Sequence, residues 1–257
     1  MFLISSLFFA GCSNENLSGE ALDKTLKKKV ENEGSQQKQL QILFDTLYRD
    51  SSDQPLMSHR LDILAYTMTK LYSFLNTSEA YNMADEEYSD TFYGIQIFPL
   101  KAGRIVSYRG CPSIFGESSA TMWAFYQTKS GDNIVTYKLY EESENSIEYA
   151  ALLQSNNTYS IISVAGNVRV HPPAAFVGGF KIYSDKIERI DILNEYKDDN
   201  WIINTTGQVR CNSDEFLGCQ INSFSDSLIS IGQIGENGSE NLNLRYDSGE
   251  SKYKIEK

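Results

Sequence analysis

The spacing of apolar side chains changes near residue 92, and this change most constrains the fold. Before it, apolar residues recur every three or four positions, the period of an amphipathic helix. After it, apolar and polar residues alternate, as in residues 135–140, which is typical of a strand with two unlike faces. The chain therefore predicts an α+β fold, with an N-terminal helical hairpin followed by a large antiparallel β meander. The helical stripes are formed by Leu40, Leu43, Phe44 and Leu47, and by Leu61, Leu64, Ala65, Met68, Leu71, Tyr72 and Leu75.

Turn-forming clusters divide the second part of the chain into strands. They are KSGD at 129–132, ESEN at 142–145, SNN at 155–157 and YSDK at 183–186. This punctuation favours an antiparallel meander, and we expect about eleven or twelve strands. Internal similarity is weak, which favours a sandwich or a partly closed barrel over a propeller, whose blades repeat.

The helices and the sheet are expected to pack together. Residues 122–126, MWAFY, are apolar on both faces, which predicts a central strand between a second layer of strands and the amphipathic helix 58–75. Asp53 and Pro55 are suited to separate two helices. The predicted organisation is a helical segment at 36–90, packed on the sheet, and an antiparallel β domain at 91–257.

Charge limits the classes of partner. The net charge is −11, and the longest basic run is Lys27-Lys28-Lys29, too short to follow a phosphate backbone. We therefore expect no nucleic-acid partner. An acidic surface promotes solubility, and it would also suit a basic protein ligand through electrostatic steering.

The N-terminal segment MFLISSLFFAG carries no charge and ends at small residues before a cysteine. Its apolar stretch is about half of the ~20 residues that a spanning helix needs, so a transmembrane anchor is not predicted. The segment has the character of the apolar region of a secretory signal, with cleavage before Cys12. The alternative is a buried N-terminal strand that carries an unmodified cysteine.

Residues Phe9, Ala10, Gly11 and Cys12 resemble the lipobox of bacterial lipoprotein signals, with Phe9 where leucine is usual. The resemblance covers about a dozen residues, and the mature domain resembles no family. The lipobox resemblance implies that 1–11 is a lipoprotein signal peptide and that Cys12 is diacylated, which anchors the protein to a membrane. Residues 12–35 would then be a tether or a polar helical stalk. Ser13 resembles the signal for transport to the outer membrane in lipoproteins of Gram-negative type.

Two of the remaining cysteines are spaced for pairing. Cys211 and Cys219 are separated by seven residues that include Asn, Asp and Gly, which can reverse the chain. We expect a disulfide there, worth roughly 2 to 3 kcal/mol in the chain-entropy model. The alternative is two reduced cysteines in adjacent strands. The spacing does not match a zinc knuckle, and Cys111 is expected to be a small core residue.

The sequence predicts no catalytic, cofactor-binding or metal-binding residue. The two histidines fit structural roles, His59 at the surface or cap of a helix and His171 beside Pro172. The motifs of the nucleophile elbow, the zinc proteases, the phosphate-binding loop and the regular calcium loop are absent from the sequence. Acidic runs at 85–87 and 198–199 are either weak calcium ligands or solvated loops.

Aromatic residues are numerous, with 16 tyrosines and 13 phenylalanines. Most are expected to form cross-strand core pairs, although a surface row of tyrosines would form a platform for sugars or a protein. Gly178 and Gly179 are expected to permit close backbone approach.

These observations lead to one expectation and two alternatives for function. The expectation is a lipid-anchored protein of the bacterial cell envelope, at the outer membrane, with a binding or structural β domain and no enzyme activity. The first alternative is an acidic inhibitor or immunity lipoprotein that neutralises a toxin or hydrolase. The second is a glycan hydrolase that uses paired carboxylates, which requires no short motif. The expected partners are the membrane, through the lipid, and a protein or glycan ligand.

Overall fold

The structure is a computed structural model, and its described residues form two compact units. Described are 24–49, 57–110, 121–143, 146–155, 158–167, 174–183, 186–211, 218–225, 227–234 and 241–256. The units are Met1–Thr67 and Met68–Lys257, so the boundary falls inside the third helix. The α+β class and the change from helices to an antiparallel meander are confirmed.

Five helices precede the strands in the described part of the chain. The predicted stripe residues Leu40, Leu43 and Phe44 are buried in the first unit. The predicted hairpin residues Asp53 and Pro55 lie outside the described residues. Two short helices follow where a continuous helical region was expected, and the Thr77 side chain caps the first of them by accepting a hydrogen bond from the Ala80 N–H. The helices are α1 (Lys24–Glu31), α2 (Gln36–Arg49), α3 (Met57–Leu75), α4 (Ser78–Asn82) and α5 (Asp85–Thr91).

The first sheet is a four-stranded antiparallel meander. Its order is β1-β2-β3-β4, with β1 at Ile95–Leu100, β2 at Gly103–Gly110, β3 at Thr121–Ser130 and β4 at Asn133–Ser143. The predicted turn at 129–132 is confirmed, since Gly131 takes a positive φ between β3 and β4. Tyr126 and Tyr137 are register partners with stacked rings, so this pair confirms the expected cross-strand aromatic packing.

The second sheet holds seven strands. Its main path is β5-β6-β7-β11-β10-β9, and β8 pairs with the remaining length of β7. Gly179 on β7 accepts the close approach that the sequence predicts, because the Ile192 side chain occupies the space a Cβ atom would need. The strands are β5 (Ser146–Ser155), β6 (Thr158–Asn167), β7 (Ala174–Ile182), β8 (Ile187–Ile190), β9 (Tyr196–Lys197), β10 (Trp201–Ile203) and β11 (Gln208–Cys211).

The third sheet is a second four-stranded meander, β12-β13-β14-β15. Its strands are β12 (Gly218–Phe224), β13 (Leu228–Ile234), β14 (Asn241–Asp247) and β15 (Lys252–Glu256). Together with the first two sheets it brings the described strands to fifteen, more than the eleven or twelve expected. The difference arises because short strands such as β8, β9 and β10 have too few residues to show a clear alternation.

Strand β7 contributes to two apolar cores. On one face of the strand, Ala175 and Val177 pack with β10, β11 and the buried face of the third sheet. On the opposite face, Phe180 packs against Ala124 and Tyr126 of the first sheet. The sheets therefore stack through their apolar faces, in the manner of a sandwich.

The last residues of α3 cover the other face of the first sheet. Tyr72 packs its ring against Phe125, with 5.9 Å between centroids. The predicted placement of 122–126 between strands and a helix thus holds for Ala124, Phe125 and Tyr126 and for the helical residues after 67. The same helix end closes part of the β4 edge, because the Tyr72 hydroxyl donates to the Thr136 carbonyl and the Asn76 side chain accepts from the Thr136 N–H.

Candidate functional site

The candidate site is the pair of cysteines at the end of β11 and the start of β12. Strand β11 follows a tight turn in which Gly207 takes a positive φ and its N–H donates to the Asn204 carbonyl at 3.0 Å. Alternation along β11 then places Val209 and Cys211 on the same face, and both are buried in the core shared with the third sheet.

The two thiols meet inside this core. Cys211 is 7 % exposed and Cys219 is 3 % exposed. The Cys219 thiol donates a hydrogen bond to the carbonyl of Val209, with 3.1 Å between Sγ and O. The two sulfurs are also within hydrogen-bonding contact of each other. The structure therefore brings together the pair that the spacing selects, as two thiols.

The surroundings make the two thiols unequal. The hydrogen bond from Cys211 lowers the pKa of Cys219, and the positive charge of Arg210 acts in the same direction. The hydrogen bond to Cys219 raises the pKa of Cys211, and burial adds to that rise. The contact between the two sulfurs therefore favours a negative charge on Cys219 over one on Cys211, although burial opposes ionisation of both.

A buried polar side chain that has no hydrogen-bond partner among the described residues lies beside the pair. Gln233 is the register partner of Cys219 on β13 and is only 6 % exposed. Neither its amide nitrogen nor its amide oxygen has a hydrogen-bond partner among the described residues. A buried amide that is left unsatisfied costs about 1–3 kcal/mol.

A second polar cluster, defined by Arg104, Gln127, Asp85 and Tyr88, lies between the first sheet and the short helices. We call it the arginine cluster. The Arg104 Nε donates to the Gln127 side-chain oxygen at 2.8 Å, and the other guanidinium nitrogens donate to the Asp85 carboxylate at 2.6 Å and to helix carbonyls. Those carbonyls belong to Ala80 at 2.6 Å, Tyr81 at 3.2 Å and Met83 at 2.9 Å.

Each of the five donors of the guanidinium is thus accounted for within the protein. Gln127 continues the network by donating to the carbonyl of Leu75, the last residue of α3, at 2.5 Å. The Tyr88 ring lies under the guanidinium, with 4.7 Å from the Arg104 carbon to the ring centroid. The arginine cluster therefore ties the ends of α3 and α4 and the start of α5 to the sheet, and its donors are occupied by structural bonds.

Tyr88 is the one phenol in this cluster. Its hydroxyl donates to the Ala80 carbonyl at 2.9 Å. Burial raises the pKa of Tyr88 to about 12, although the charge of Arg104 opposes that rise. The phenol is therefore neutral throughout the physiological range and serves as a fixed donor.

One residue of each acidic run, Asp85 and Asp198, has structural partners. Asp85 begins α5 and pairs with Arg104, and the first turn of a helix favours such a negative charge. Asp198 accepts hydrogen bonds from the Tyr196 hydroxyl and from the N–H groups of Asn200 and Trp201, so it stabilises the turn before β10. Within the described ranges, no group of three or more His, Cys, Asp or Glu side chains is arranged to hold a metal ion.

Other residues singled out in the sequence lie partly or wholly outside the described part. Cys12, Cys111 and His171 are outside it, so the predicted lipidation of Cys12 remains a prediction. His59 lies in the first turn of α3, and its expected role at the surface or cap of the helix stays a prediction. Among the helices that the structure describes, none is both long and apolar enough to cross a membrane.

Arg104 is the residue that sequence reasoning missed. It follows a glycine at the start of β2 and looks like an outward-facing strand residue. The buried role of Arg104 is indicated only when it is considered together with Asp85 and Gln127, which lie 19 and 23 residues away in the sequence.

Comparisons with known proteins give no relative from which a function can be transferred: the chain matches no protein-family model, no curated protein and no solved structure.

Proposed function

We propose that this chain is a lipid-anchored protein of the bacterial cell envelope, at the outer membrane, whose β-rich region serves binding or structure rather than catalysis. The observation that carries the proposal is the run Phe9-Ala10-Gly11-Cys12 at the end of a short apolar segment. Acyl chains on a single thiol stabilise membrane attachment by about 0.8 kcal/mol per buried CH₂, without a spanning helix.

The first helix supports a position near a bilayer. In α1, Lys24, Lys28 and Lys29 are exposed and Lys27 is partly exposed. Lys24 follows Cys12 by twelve residues, a chain length that spans at most about 40 Å. Each lysine near an anionic lipid surface contributes about 1 kcal/mol, so this basic helix in an acidic protein favours contact with anionic lipid.

The direct test of the anchor is incorporation of labelled palmitate in a bacterial host. We expect the wild-type chain to take up label and to fractionate with membranes, and Cys12→Ala to lose both properties. Cys111→Ala is the matched control and should be labelled like the wild type. Equal labelling of wild type and Cys12→Ala would refute the proposal.

An inhibitor of a basic envelope protein is the second candidate, because the net charge of −11 favours it. Its test is the rate of association with a basic cell-wall hydrolase over a range of salt concentrations. A rate that falls steeply with salt supports electrostatic capture. A chain that neither binds nor inhibits the hydrolase at low salt argues against this candidate and leaves the anchor untouched.

A further inference from the structure

The two cysteines of the candidate site belong to different sheets. Strand β11 pairs with β7 and β10 in the second sheet, whereas β12 pairs with β13 in the third. Strands β11 and β12 are therefore not ladder partners, because they belong to different sheets. The Cys219 thiol bonds to the Val209 carbonyl across this junction, so the sulfur contact spans the core between the sheets.

We propose that Cys211 and Cys219 are a modification site at which a disulfide donor installs an inter-sheet link before the core closes. The donor is a small-molecule or protein disulfide, such as those of an oxidising envelope compartment. This inference concerns the folded body and does not depend on acylation of Cys12.

The exchange balances in two steps. The thiolate of one cysteine attacks a sulfur of the donor, so a mixed disulfide forms and the donor's second sulfur leaves as a thiolate that takes up a proton. The remaining cysteine thiolate then attacks the protein sulfur of that mixed disulfide. The Cys211–Cys219 bond forms, the other donor sulfur leaves, and two protein thiols have been oxidised while one donor disulfide has been reduced.

Burial fixes the order of events. Both residues lie in a core with Trp201 and Ile231, and neither exceeds 7 % exposure. A donor must reach the attacked sulfur, and a packed core leaves no room for a molecule as large as glutathione. The exchange therefore occurs on the chain before the second and third sheets have packed, or during a local opening of that junction.

The experiment uses the full chain with Cys12→Ser and Cys111→Ser, so that only the two core thiols remain. One sample is reduced, unfolded and refolded with glutathione disulfide, and the other receives the same reagent after folding in the reduced state. Maleimide mass tagging counts the thiols that remain. We expect the refolding chain to lose both thiols to an intramolecular bond, and the folded chain to do so roughly tenfold more slowly or less.

Stability supplies a readout that needs no further substitution. The linked protein should show an unfolding equilibrium constant about ten- to a hundredfold smaller in urea than its reduced form. Cys211→Ala and Cys219→Ala should each retain a single thiol, or a single glutathione adduct, and should lose this difference.

Three results would overturn the inference: two taggable thiols after oxidative refolding, covalent dimers in place of the intramolecular bond, or equal oxidation rates for the folded and refolding chains. None of them touches the palmitate result, so this inference and the proposed anchor fail independently.

Discussion

Two buried glutamines, one in the first sheet and one in the third, differ in how their side chains are hydrogen-bonded. Gln127, in the arginine cluster, is fully buried, accepts from Arg104 and donates to the Leu75 carbonyl. Gln233, beside the cysteine pair, is almost as buried, yet both of its amide atoms lack partners among the described residues. Burial alone therefore says little about the energetic value of an amide. The same side chain stabilises the first location and weakens the second.

The largest expected effect comes from removing the centre of the arginine cluster. Arg104→Met leaves the helix carbonyls and the Asp85 carboxylate without their donors, and should lower the free energy of unfolding by about 3–5 kcal/mol. Urea unfolding measures the change. Arg109→Met on the same strand is the matched control, since Arg109 is exposed, and should shift stability by less than about 0.5 kcal/mol. Similar losses in the two variants would mean that the cluster has no special role.

A smaller effect should follow from titrating Tyr88. Its folded pKa of about 12 lies above the ordinary tyrosine value of 10.0, so the unfolded chain loses this proton first as the pH rises. The contribution of Tyr88 to the free energy of unfolding is complete below pH 10. As the pH rises towards 12, the free energy of unfolding falls by roughly 2–3 kcal/mol.

The measurement is urea unfolding of wild type and Tyr88→Phe at several pH values. The variant should be about 1 kcal/mol less stable at neutral pH, because it lacks the bond to Ala80, and should lose less stability above pH 10. Tyr93→Phe is the control, at a ring that is 66 % exposed. Parallel alkaline losses in wild type and Tyr88→Phe would contradict this account.

The smallest effects should come from the glutamines, and they should have opposite signs. Gln127→Leu should destabilise by about 2 kcal/mol, since it leaves the Arg104 Nε and the Leu75 carbonyl unpaired. Gln233→Leu should be neutral or stabilise by about 1 kcal/mol, since it removes an unsatisfied amide and keeps a similar volume. Thermal and urea unfolding of the two variants compare them directly. Equal destabilisation would show that Gln233 forms hydrogen bonds with residues outside the described part of the chain.

Local patterns were sufficient for the fold class and for much of its layering. The helical stripe and the 129–132 turn are properties of neighbouring residues, and the pair Gly178-Gly179 by itself predicts the close packing that is found at Gly179. The number of strands was underestimated, because a two-residue strand such as β9 has no measurable period.

The candidate sites depend on residues far apart in the chain, and this limited what could be predicted. Spacing was enough to select Cys211 and Cys219, but their membership of two sheets depends on pairing between β11 and β7, more than thirty residues earlier. Arg104 was missed because its guanidinium donates to backbone carbonyls at helix ends. Every residue carries such a carbonyl, so the pattern of side chains does not indicate these acceptors.

Strand β7 has a consequence for how the larger unit loses its structure. One face of the strand is a wall of the core that holds the cysteines, and the opposite face is a wall of the core that holds Tyr126. Melting either core removes a wall from its neighbour, so partial unfolding intermediates of residues 68–257 are disfavoured. We therefore expect residues 68–257 to unfold in a single cooperative transition, both on heating and under mechanical force applied to one end.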